Sequence, residues 1–151
     1  MNYNQHGSTT LLPTPTKDAT QKTINWTITA LTEENAMKLT EHLEFMITKL
    51  KEGGNPRAWD KLFLMEAYMK FNHYYTTEVE RTNTDIVISK KATTTCAYDV
   101  IAAHSDAVSG DFFGNGNTGI DNSGTAETIL SSPSCDEERV ALTAYILERQ
   151  M

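Results

Sequence analysis

The sequence predicts a mainly α fold: a small helical bundle around an αα-hairpin, with a minor two-strand β element. Three observations predict it. From Ala36 onward, apolar side chains recur at three- and four-residue spacing (Ala36, Leu39, Leu43, Met46, Ile47, Leu50), the signature of one buried helix face. From Ala58 to Tyr75, twelve of eighteen residues are apolar or aromatic, and the six polar ones scatter around the helix. Clean two-residue alternation is confined to Thr23–Leu31, where Ile24, Trp26, Ile28 and Ala30 face one way and Thr23, Asn25, Thr27 and Thr29 the other.

Each element follows from local chemistry. Residues 1–21 are polar, rich in Thr, Asn and Gln, and carry Pro13 and Pro15; they read as an extended arm ahead of a single helical domain, residues 22–151. Thr32 caps the first helix, and Glu33 and Glu34 sit where the helix dipole favours acids. Gly53-Gly54 ends that helix and Asn55-Pro56 starts the next, so Thr32–Tyr75 forms a tight hairpin. Thr76–Arg81 either prolongs the second helix or enters a strand, the latter favoured by Thr and Val. Asp85–Ser89 reads as a short strand with Thr23–Leu31 as its natural partner. Thr94–Val108 is a third helix. Residues 110–132 form a flexible Gly/Asn-rich loop whose only large anchors are Phe112 and Phe113. Ser134-Cys135-Asp136-Glu137 is a capping box opening a last helix, with Val140, Ala144, Leu147 and Met151 on one stripe.

At 151 residues, 39% hydrophobic and 22% charged, the composition is that of one ordinary globular domain. Its net charge of −7 resides wholly in residues 92–151, which hold no lysine. That half would repel a phosphate backbone, and the arm offers only Lys17 and Lys22, which argues against nucleic-acid binding. The first residues lack a basic segment followed by an apolar one, and no apolar run is long enough to cross a bilayer. The expectation is therefore a cytoplasmic or virion location, without secretion by a signal peptide and without a membrane partner. Cys96 and Cys135 lack CxxC spacing and are expected as reduced thiols. Asn25-Trp26-Thr27 matches the glycosylation acceptor pattern, which a cytosolic chain would leave unused.

No catalytic, cofactor or metal site is expected. Gly114-Asn115-Gly116-Asn117-Thr118-Gly119 spells the dinucleotide fingerprint without the preceding strand and following helix that make it work. The oxygen-bearing residues Asp111, Asn115, Asn117, Asp121 and Asn122 miss the calcium-loop spacing, since Phe113 and Asn122 fall where ligands are required. The four histidines are not clustered, and Glu66 and His73 lie seven residues apart where di-iron bundles use Glu-x-x-His. His104 and Cys96, about 12 Å apart along a helix, are too far for a thiolate–imidazole pair.

These features predict a non-enzymatic structural subunit of a homo-oligomeric assembly, with contacts to other structural proteins and, in its narrower form, a viral or phage particle component. The grounds are an apolar helix with no wide solvent face and strands short of partners. The interface is expected at Trp59, Phe63, Tyr68, Phe71, Tyr74, Phe112 and Phe113, because aromatic residues are enriched at interface centres. The alternative is a small acidic regulator binding a basic host protein through the C-terminal half. A third reading, an enzyme whose site converges from distant residues, names His73, His104, Asp99 and Cys96.

Overall fold

The alternating segment does form a strand, β2 (Thr23–Thr29), with Ile24, Trp26 and Ile28 buried and Asn25 and Thr27 exposed. In the structure, a computed structural model that describes residues 15–52, 58–108 and 121–150, β2 does not stop at one partner. It lies inside a four-stranded antiparallel sheet of order β1-β2-β4-β3, with β1 (Thr16–Asp18), β3 (Tyr75–Thr82) and β4 (Asp85–Ala92). Five α-helices are described: α1 (Glu33–Lys51), α2 (Lys61–Phe71), α3 (Thr95–Ala107), α4 (Ser123–Leu130) and α5 (Arg139–Gln150). The fold is α+β, which corrects the mainly α, two-strand expectation. Thr16–Asp18, at the end of the expected arm, is edge strand β1.

β3 is where the sequence reading and the structure part. Its β-branched Thr76, Thr77, Val79 and Thr82 favour an extended chain, and β4 supplies a partner along its whole length, from Tyr75 opposite Ala92 to Thr82 opposite Asp85. The helix ahead of it stops without glycine or proline. His73 adopts the left-handed conformation (φ 63°), its N–H donates to the Lys70 carbonyl, and the Tyr74 N–H donates to that of Met69. This is a Schellman cap, in which a left-handed residue lets two following N–H groups reach back to helical carbonyls.

Register puts the apolar residues of three strands on one side: Trp26 opposite Ile88, Ile28 opposite Ile86, and Val79 opposite Ile88 from the other flank. α1 covers part of this inner face, where Ala36, Leu39 and Leu43 pack on Trp26, Ile28, Ile86 and Ile88. Ile24, Tyr75 and Ala92 join the second core, built around α2, α3 and α5. The opposite face (Thr23, Asn25, Thr27, Thr76, Glu78, Glu80, Thr82) has no buried residue.

α2 is the central rod. Eight of its eleven residues are buried, and it touches α1, α3, α4, α5 and β3. Its N-cap is Asp60, not Asn55; the Asp60 carboxylate accepts from Leu62 N (3.0 Å) and Phe63 N (3.4 Å). The Gly53-Gly54 and Asn55-Pro56 signals lie outside the described residues. So most of this apolar helix is covered by its own chain, and its burial does not by itself call for a second subunit.

Two further expectations change. The segment expected as an open loop contains α4, whose Ala126 is buried and whose Ile129 and Leu130 pack on the core; residues 109–120, with the glycine-rich motif, lie outside the described residues. Ser134 does not cap the last helix. It sits in a 3-10 turn, Pro133–Cys135, capped by Ser132. Cys96 and Cys135 are not free thiols but a disulfide, fully buried, joining the first turn of α3 to that 3-10 turn.

Two stability measurements test this description. His73→Gly relieves the left-handed strain at the cap and should stabilise the protein by roughly 0.5–1 kcal/mol, seen as a higher thermal midpoint; a lower midpoint contradicts the cap. Removing the disulfide frees a closed loop of separation 39. Chain entropy then predicts a loss of about 4 kcal/mol, read from denaturant unfolding with and without a thiol reductant.

Candidate functional site

An amphipathic helix keeps its charges outside, but α2 carries Glu66 into the core, where the residue is only 3% exposed. A buried carboxylate is tolerated only if cations and donors meet it. Three elements supply them. His104 of α3 brings Nδ1 to 3.1 Å from Glu66 Oε1, and Lys90 of β4 brings Nζ to 3.6 Å from the same oxygen. Tyr75 of β3, itself buried, lies close enough to feel the Glu66 charge. The His104 approach lies off the hydrogen-bond line, so it acts as a charge contact.

A second buried amine completes the group. Lys70, one turn after Glu66 on α2, donates to Thr77 Oγ1 (3.1 Å) and lies 4.8 Å above the Tyr75 ring. Lys90 faces the same ring at 5.8 Å, and Phe63 meets His104 edge-on at 5.8 Å. Burial alone would raise the Glu66 pKa. The charges of His104 and Lys90 outweigh it and hold the carboxyl at about 2, against an ordinary 4.5. Tyr75 is pushed well above its usual value of 10, first by burial and then by the Glu66 charge.

Chemically this is a carboxylate-backed imidazole flanked by two ammonium groups and a phenol. Perturbed titration in such clusters marks functional sites in some proteins and structural ion pairs in others. Here the geometry speaks for structure. The Lys90 and His104 side chains are only 11% and 16% exposed, so the groups that meet the carboxylate are themselves largely shielded from solvent.

The residues named for an enzyme reading do not converge. Cys96 is consumed by the disulfide, Asp99 accepts from Ser134 Oγ at 2.7 Å, and His73 caps α2 at the surface. Only His104 enters the cluster. Among the described residues no three His, Cys, Asp or Glu side chains gather as a metal site, and no helix is long and apolar enough to cross a membrane.

Of the expected interface residues, Phe63 lies in the core, and Tyr68 and Tyr74 are half-buried and stacked at 6.1 Å, with Tyr68 also edge-on to Tyr145 at 5.4 Å. Trp59 and Phe71, at the two ends of α2, are 47% and 45% exposed. Phe112 and Phe113 lie outside the described residues. Sequence reasoning missed the ion cluster, although a signal existed: Lys90 follows Ile86 and Ile88 in phase, on the inward side of β4.

The cluster makes a pH prediction. Because the folded-state pKa of Glu66 is depressed, its stabilisation is fully present above pH 4.5 and is lost as pH falls toward about 2. The amount is on the order of 3 kcal/mol. Glu66→Gln should lose a comparable amount at neutral pH, because the largely buried Lys90 ammonium then lacks its counter-ion. Its unfolding free energy should fall less steeply across that acid window than that of the unmodified protein. Parallel acid profiles for the two proteins would refute the assignment.

No family model matches the chain, and neither curated proteins nor solved structures give a significant match. Nothing in fold or comparisons speaks for a capsid or virion component, and with α2 largely covered by its own chain the main ground on which the sequence led to an assembly is gone.

Proposed function

We propose that the protein is a non-enzymatic subunit that works through protein–protein contact, assembling with copies of itself. One observation carries the reading. α5 is apolar on two opposite sides: Leu142, Tyr145 and Ile146 face the core, while Val140, Ala144 and Leu147 face outward. Val140 is 82% and Leu147 58% exposed. The stripe that the sequence sets toward the core thus points to solvent. A cleft of about 100 Å³ runs beside it, lined by Met65, Ala126, Leu130, Ile146 and Leu147. Large apolar side chains left exposed on one helix face, as Val140 and Leu147 are, support a contact surface there.

Magnitudes limit what this face does alone. Burying Val140 and Leu147 contributes roughly 1.5–3 kcal/mol each, against an association cost of at least about 4 kcal/mol. A stable assembly therefore needs additional contacts, to which the exposed Phe71, Met37 and Leu31 could add apolar area.

Light scattering on a dilution series, from micromolar to millimolar protein, tests the reading. Concentration-dependent association is expected, weakened by Leu147→Glu, which leaves the fold intact because the side chain is exposed. A monomer at every concentration overturns the proposal.

A further inference from the structure

Among the described residues the sheet order leaves β3 as an edge strand eight residues long, so alternate N–H and C=O groups along it point away from β4. Such an edge is a template for a further strand, and the charges along it decide which strand fits. Alternation places Thr76, Glu78, Glu80 and Thr82 on the open face of the sheet, all exposed. Asp85 shares that face on the neighbouring strand, next to Thr82 in register. The balancing cation on this part of the face, Lys91, lies at the far end, opposite Thr76.

A second copy meets like charges in the central registers of this edge. Antiparallel addition across a two-fold axis keeps each side chain on its own face, so even-numbered residues meet even-numbered ones. Registers centred on Glu78 or Glu80 set that glutamate against itself, and the register centred on Val79 sets Glu78 against Glu80. Each opposes like charges directly. The overall charge of −7 adds long-range repulsion between copies. The same features attract a cationic chain.

The structure assigns the β3 edge as a docking site for an extended basic segment of another protein, added as a fifth strand with lysine or arginine at alternate positions beside Glu78 and Glu80. Main-chain hydrogen bonds to β3 supply affinity, and the paired charges supply selectivity and salt dependence. This site is separate from the outer face of α5 and does not depend on self-assembly.

A soluble peptide alternating lysine and threonine is the probe, used with the full chain. Binding is expected at low salt, with new protection of β3 amide protons against exchange. The Glu78→Lys, Glu80→Lys double variant changes only exposed side chains and should weaken binding roughly tenfold or more. The same peptide with alternate backbone nitrogens methylated keeps its charge but loses donors, and should not protect β3. Equal binding by the methylated peptide, unchanged affinity of the double variant, or no binding overturns the inference. So does concentration-dependent protection of β3 without peptide, which would assign the edge to a second copy.

Discussion

Glu66 is a charge at the centre of the molecule, and the surrounding elements are arranged so that it is never alone. Its burial is affordable only while Lys90, His104 and Tyr75 stay in place, and these come from β4, α3 and β3. The requirement specifies register. Lys90 reaches the carboxylate because it occupies an inward position two residues after Ile88. A one-residue slip of β4 would turn Lys90 outward together with Ile86 and Ile88. That would leave a desolvated carboxylate with much of its compensation gone, a fault costing several kcal/mol where total stability is of similar size. Apolar packing makes α2 the central rod; the ion cluster fixes which strands and which helix surround it, and in what alignment.

What could be read from the sequence follows the same logic. β2 and α1 were legible because each buries a single face, and one-sided burial imprints a period of two or of 3.6. α2 was legible as a helix buried on several sides, but the covering belongs to its own chain rather than to a neighbour. The end of α2 was not legible, because its stop is a histidine at positive φ where glycine or asparagine is the usual signal. β3 stayed ambiguous because its edge position leaves Glu78, Glu80 and Arg81 exposed, which weakens the alternation. α4 was hidden by Ser123, Gly124 and Thr125 at its start, residues that read as loop. The Glu66 cluster was missed because attention to near neighbours set Glu66 beside His73, whereas its partner His104 lies on a different helix.

The C-terminal part shows how a loop-like composition becomes fixed structure. The disulfide draws the 3-10 turn onto α3, and Arg139 then donates to the Leu130 and Ser132 carbonyls (2.6 and 2.8 Å) and to Asp136. Lys61 donates to Ser123 Oγ through its backbone and to Glu127 through its ammonium, so α4 is held against the start of α2. A short helix with one buried residue is marginal alone. Anchored on both sides, it helps to bury Met65 and Ile146 and forms one wall of the cleft beside α5.

Surface charge then separates two kinds of contact. Copies bearing −7 repel, so self-association has to use a region where charge is absent. The outward face of α5 between Arg139 and Glu148 is such a region: Val140, Ala141, Thr143, Ala144 and Leu147 carry none. The β3 edge is the reverse on the open face of the sheet, where Glu78 and Glu80 are exposed while Arg81 lies on the other side, so the proposed occupant there is a cationic strand. The two proposed contacts use different parts of the surface, an uncharged helix face and a strand edge carrying Glu78 and Glu80. That separation follows from where Val140, Leu147, Glu78 and Glu80 sit on the fold, so neither proposed contact would block the other.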